Sequence, residues 1–166
     1  MKLSIIIPVY NERGAVLTVV ERVQQTPWEK EIIIVDDGST DGTSEVLRAL
    51  EGTPAVTVLH HERNHGKGAA VRTGLRQTTG DIVIIQDADL EYWPEDYPAL
   101  IDLIQRGAAD VVYGSRFLGR HRALLFTHWL GNLSVNFMAN VLFNTTLTDL
   151  ETGLLGSGLT IGYHLI

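Results

Sequence analysis

The sequence contains no cysteine. Disulfides, thiolate-bound zinc and cysteine nucleophiles are therefore outside its chemistry, and the absence accords with a reducing, cytoplasmic setting. Basic residues are also few. Thirteen Lys and Arg stand against 20 Asp and Glu, a formal net charge of -7. Nucleic-acid binders need a basic excess to meet phosphates, so that class is disfavoured. Met1-Lys2-Leu3 leads straight into an apolar run, with no charged, apolar and cleavage regions in leader order, so no signal peptide is expected. Between Ala123 and Thr148 there is no Asp, Glu, Lys or Arg.

What is present suits one soluble domain. The 166 residues are 45% hydrophobic, enough to bury a single core. Glu31 to Val35, Ala55 to Leu59, Ile82 to Ile85 and Val111 to Tyr113 read as strands, and Leu3 to Val9, the first of the series, is apolar and continuous rather than alternating. That is the pattern of strands covered on both faces. Helical spacing separates them. Val16, Val19, Val20 and Val23 form one stripe behind a capping Asn11, closed by Pro27. Val46, Leu47 and Leu50 follow a capping Asp41, and Gly66-Lys67-Gly68 opens a third helix ending near Gly80. Tyr97, Leu100, Ile101 and Ile104 form a fourth stripe between Pro94 and Gly107.

Alternating strands and helices predict right-handed βαβ units in a mostly parallel sheet, with helices on both faces. Ligands of such sheets lie beyond the carboxyl ends of the strands. The polar clusters fall there. Asp87-Ala88-Asp89 places two carboxylates where both can approach one hard cation, with Glu91 as a third acid nearby. Taken alone, the pair serves equally well as a solvated turn. Asp36-Asp37-Gly38 can accept hydrogen bonds from a base or ribose, or simply turn the chain. Asn64-His65-Gly66-Lys67-Gly68-Ala69 allows close backbone approach to an anion, with Lys67 adding charge, although many helices begin with glycine. Arg116 follows the fifth strand and can pair with a diphosphate or with a neighbouring acid. His60, His61 and His65 lack a zinc spacing and read as loop residues.

Each signal is modest alone. In order, Ile7-Pro8-Val9-Tyr10-Asn11-Glu12, Asp36-Asp37-Gly38-Ser39-Thr40-Asp41-Gly42-Thr43, Asn64-His65-Gly66-Lys67-Gly68-Ala69, Asp87-Ala88-Asp89 and Gly114-Ser115-Arg116 resemble glycosyltransferase family 2. The subgroup they most resemble is the dolichyl- or polyprenyl-phosphate sugar synthases. The resemblance runs from Met1 to about Gly153. It implies a GT-A fold of the α/β class, Rossmann-like, and inverting transfer of a sugar from a UDP- or GDP-sugar to a polyprenyl or dolichyl phosphate. Under it, Pro8, Tyr10, Glu12 and Asp37 match nucleoside-holding positions, with Asp36 beside them and Lys67 and Ala88 adjoining the nucleotide. Asp87 and Asp89 match the motif for Mg2+ or Mn2+ and the diphosphate, and Glu91 is a further metal-side candidate. Asp89 and Arg116 are expected to act in transfer, and Asp149 is the first candidate base for an alcohol acceptor.

Two segments are anticipated, 1–122 as the nucleotide-sugar-binding core and 123–166 as an apolar, acceptor-side part. His128, Asn132, Asn136, Asn140 and Asn144 recur every four residues within the uncharged stretch. Asparagines are costly in lipid, so a helix lying on the inner face of a membrane is favoured over a span, with a core helix as the other reading. After Gly153 the chain departs from the family pattern, lacking further basic residues, and the C-terminal part is read as truncated. That leaves a catalytically impaired nucleotide-sugar-binding fragment as one alternative. A nucleotidyltransferase is another, but its glycine- and arginine-rich phosphate loop is replaced here by Pro8-Val9-Tyr10-Asn11-Glu12. A phosphoacceptor domain carries its paired aspartates after the first strand, whereas Asp36-Asp37 follows the second.

Overall fold

A computed structural model describes residues 1–114, 133, 137, 138, 140, 142 and 154–158. β1 (Lys2–Val9), β2 (Glu29–Asp36), β3 (Val56–His60) and β4 (Ile82–Gln86) are parallel neighbours, in the spatial order β3-β2-β1-β4. β5 (Val111–Tyr113) does not pair with β4. A strand between them, β6 (Leu154–Gly158), runs antiparallel to both. The expectation of a mostly parallel sheet holds. The antiparallel β6 was not anticipated, and it brings part of the 123–166 segment into the same sheet as the core.

Burial on both faces explains the unbroken apolar runs. Leu3, Ile5, Ile7 and Val9 of β1 join Ile32, Ile34 and Ile84 in the larger core, with less than 2% of each exposed. At roughly 1.5–3 kcal/mol for each fully buried large aliphatic side chain, this layer is the main source of stability. Helix α1 (Val16–Gln25) covers it with Val16, Val19, Val20 and Val23, α2 (Thr43–Arg48) with Leu47, and α4 (Tyr97–Gln105) with Tyr97, Leu100 and Ile101. The three apolar stripes read from the sequence are these buried faces.

The opposite face of the sheet belongs to α3 (Lys67–Leu75). Ala70 packs with Ile33 and Val35. Gly74 lies so close to β1 that a Cβ there would stand 2.6 Å from Ile6 Cγ2. The helix ends at Leu75 rather than near Gly80, because Gly80 is pressed against β1. A Cβ on Gly80 would lie 2.8 Å from both Lys2 O and Ser4 N.

Asn11 does not cap α1. It sits in the left-handed region (φ 57°), four residues ahead of the helix cap at Ala15, and joins the first loop to the second. Its N–H donates to Ser39 Oγ (3.0 Å), and its Oδ1 accepts from Thr40 N–H (2.8 Å). Asp41 does serve the start of α2, accepting from Thr43 N–H at 3.0 Å. Among the described residues, no helix is long and apolar enough to cross a membrane.

Candidate active site

Because β1, β2 and β4 are parallel neighbours, their carboxyl ends open on one side of the sheet. A cleft of about 290 Å³ lies there, between the loops after these strands and the start of α3. Of the candidate site residues from the sequence, Pro8, Tyr10, Glu12, Asp37, Asp87, Ala88 and Asp89 line it. Lys67, the first residue of α3, is also there. The lining adds Asn64, Val9 and Ala70.

The two adjacent acids here, Asp36 as the last residue of β2 and Asp37 as the next, face different surroundings. Asp36 is turned into its own loop. It accepts from Ser39 N–H (3.0 Å), from Ser44 Oγ and from His60 Nδ1 (3.0 Å), and only 1% of it is exposed. It is not part of the cleft wall. Asp37 is. Its carboxylate accepts from His61 Nδ1 (2.6 Å), His65 N–H (3.0 Å) and Gly66 N–H (2.7 Å). Burial opposes ionisation of both aspartates, but these hydrogen bonds outweigh it and hold both below the usual carboxylate range. Gly38 permits the packing. It has φ 73°, and a Cβ there would lie 2.6 Å from the Arg63 backbone.

β4 ends on a braced turn. Gln86 is fully buried, and its Nε2 donates to Asp87 O (2.9 Å) and Tyr92 O (3.3 Å). Its Oε1 accepts from Tyr97 Oη (3.0 Å), which ties the turn to α4. One polar side chain in an otherwise apolar strand was the signal in the sequence for this brace. Asp89 Oδ1 accepts from Glu91 N–H (3.0 Å), and the intervening Leu90 adopts φ 62°. Glu91 thus adjoins the acidic pair but is not part of the cleft wall.

The matching family model is that of glycosyl transferase family 2, over residues 4–148. The chain belongs to this family. Among related family 2 sequences, the dolichol-phosphate mannosyltransferase of Pyrococcus furiosus is 37% identical over 71% of this chain and 34% of its own length. The bactoprenol glucosyl transferase of Shigella phage SfX is 42% identical over 70% of this chain and 39% of its own. An undecaprenyl-phosphate 4-deoxy-4-formamido-L-arabinose transferase of Aeromonas hydrophila is 40% identical over 63% and 34%. The chain spans little more than a third of the length of these relatives, and their names match the subgroup expected from the motifs. A mannosyltransferase from Pyrobaculum calidifontis, solved with GDP-Man and Mn2+, superposes with TM-score 0.70 at 24% identity, over 98% of this chain and 46% of that one. Glucosyl-3-phosphoglycerate synthase from Mycobacterium tuberculosis, solved with UDP, gives 0.73 at 22% identity, over 96% and 57%. These two likenesses establish a GT-A-type fold.

The family 2 cleft is crowded with negative charge. Burial raises the Glu12 carboxyl, and Asp89, Asp41 and Asp87 raise it further. Burial likewise raises Asp87. Lys67 opposes the rise, while Asp89 and Glu91 add to it. Lys67 Nζ is 2.7 Å from Asp87 Oδ1 and 2.8 Å from Oδ2. Among the described residues, no three acids or histidines converge as a ready-made metal cage. A pair of carboxylates still fits Mg2+ or Mn2+, because such ions complete their shell with water and substrate phosphate rather than protein alone. Arg116 and Asp149 lie outside the described residues.

Proposed function

We propose that the cleft binds a UDP- or GDP-sugar together with Mg2+ or Mn2+, and that the protein transfers the sugar to a polyprenyl phosphate with inversion. The observation that carries this reading is the convergence of Glu12, Asp37, Lys67, Asp87 and Asp89 on one cleft at the carboxyl ends of three parallel strands. The Pyrobaculum protein, solved with GDP-Man and Mn2+, supports the donor class, and the names of the relatives support the acceptor class.

In this reading Pro8, Tyr10, Glu12 and Asp37 receive the nucleoside, and Asp87 and Asp89 hold the ion, with Glu91 beside them. The ion, when bound, offsets charge on the departing diphosphate. Lys67 supplies a second positive charge to the same group. Arg116 steadies the diphosphate and the acceptor. A phosphate acceptor is already anionic and needs no strong base; Asp149 would deprotonate an alcohol acceptor. The exposed Leu133, Phe137, Met138 and Leu142 support a site that works at a bilayer surface, where the lipid acceptor resides. The test is to incubate the protein with labelled GDP-mannose or UDP-glucose, Mn2+ and a polyprenyl phosphate in detergent. Label moving into the lipid fraction is the expected result. Donor binding without any transfer would favour a nucleotide-sugar-binding role alone.

A further inference from the structure

A histidine stands directly behind the cleft carboxylate Asp37. His61 Nδ1 lies 2.6 Å from Asp37 Oδ1, and its Nε2 lies 2.9 Å from Thr73 Oγ1 on α3. Only 16% of the His61 side chain is exposed, and the ring meets that of His65 edge-on at 5.5 Å. The backbone fixes where the ring starts. His61 N–H donates to Asp36 O (2.8 Å), directly after β3. An ionised carboxylate can only accept, so Nδ1 carries the proton and donates it. In the neutral ring, Nε2 then accepts from the Thr73 hydroxyl.

Asp37 passes this constraint on. Its Oδ1 accepts from His61 and from His65 N–H, and its Oδ2 accepts from Gly66 N–H (2.7 Å). One carboxylate therefore holds the turn that supplies Asn64 and Lys67 to the cleft wall. The sequence treats His61 as a loop residue, yet both its ring nitrogens are used, each by a different element.

We propose that His61 is a positioning residue for nucleotide binding: its Nδ1–H fixes Asp37, and through Asp37 the turn from Asn64 to Lys67, in the arrangement that receives the nucleoside. This role rests on the nucleotide-sugar reading above. A histidine that merely fills space would contribute through its ring and not through one particular N–H.

Two substitutions separate these roles. In His61→Asn the side-chain NH2 falls close to the Nδ1 position, whereas in His61→Gln it falls near Nε2 and leaves Asp37 without that donor. Both remove the ring, so a packing role penalises both. Calorimetry with UDP or GDP and Mn2+ should show His61→Asn within about threefold of wild type and His61→Gln weakened by about tenfold or more, the scale of one charge-assisted hydrogen bond. Equal loss in the two variants, or none in His61→Gln, would overturn the role.

A second measurement needs no variant to fold. Long-range 1H–15N spectra of wild-type protein labelled at histidine should show His61 as the Nδ1–H tautomer, and an Nε2–H tautomer would overturn the role. The tautomer is read without ligand. If wild-type protein binds no nucleotide, the nucleotide reading falls, and the positioning role falls with it. If it binds nucleotide but the variants do not separate, the positioning role alone falls.

Discussion

Lys67 Nζ touches both carboxylate oxygens of Asp87, at 2.7 and 2.8 Å. The residue that opens α3 thus lends its charge to the residue that follows β4, and both line the cleft. In the proposed reading the same lysine serves the diphosphate and competes with the metal for Asp87. Lys67→Met should therefore weaken UDP or GDP about tenfold, the scale of a charge-assisted bond, and leave uridine or guanosine nearly unaffected. Without nucleotide, the same variant should bind Mn2+ more tightly than wild type. Calorimetry checks the first expectation and electron paramagnetic resonance the second. Unchanged diphosphate affinity would remove Lys67 from the site.

Asp87 and Asp89 should carry the metal dependence between them. In Asp87→Asn and in Asp89→Asn, nucleotide affinity with Mn2+ should fall to the level that wild type shows in EDTA. A variant that keeps its full response to Mn2+ would show that the replaced carboxylate is not a ligand.

Gly74 should be intolerant of alanine, although alanine is the better helix former. A Cβ there would stand 2.6 Å from Cγ2 of the fully buried Ile6. Overpacking of this kind costs about 1–3 kcal/mol, against a gain of about 1 kcal/mol in helix propensity. Gly74→Ala should lower stability by up to about 2 kcal/mol in urea unfolding. An unchanged midpoint would mean that α3 sits farther from β1.

Glu31 should make the fold acid-sensitive. Burial pushes its carboxyl up, but hydrogen bonds from Lys2, Ser4 and Thr79 prevail and hold it down to about 2, from 4.5. A carboxyl with a lowered folded value contributes stability above its unfolded value and loses it as pH falls through the folded one. Glu31 is 17% exposed at the side chain, so its contribution near neutral pH is roughly 2–3 kcal/mol. The difference in urea stability between wild type and Glu31→Gln should be of that size near neutral pH and shrink between pH 4.5 and about 2. A difference independent of pH would contradict this origin.

The parts of the fold legible in the sequence are those where burial leaves a pattern. β1, β2 and β4 are covered on both faces and read as unbroken apolar runs, and the stripes of α1 and α4 are buried as spaced. β6 left no such trace. Gly156, Ser157 and Gly158 form no apolar pattern, and Gly156 has a close neighbour. A Cβ on Gly156 would stand 3.3 Å from Ile104 Cδ1, so a small residue lets α4 rest on the sheet. The site shows the same divide. Residue types placed Asp37 and Asp87 to Asp89 at strand ends, but only the partners brought by folding turn Asp37 to the cleft and Asp36 to its own loop. Asn11 looked like a helix cap because asparagine favours that role. It joins two loops instead, in a left-handed conformation that asparagine also tolerates.

The central claim is that the acids at the ends of β1, β2 and β4 form a metal-dependent nucleotide diphosphate site. Calorimetric titration of the wild-type protein with UDP and with GDP, each with Mn2+ and then with EDTA, tests it most directly. The account predicts saturable binding of at least one nucleotide with Mn2+, and weakened or lost binding in EDTA. No heat with either nucleotide, or equal binding in EDTA, would contradict it.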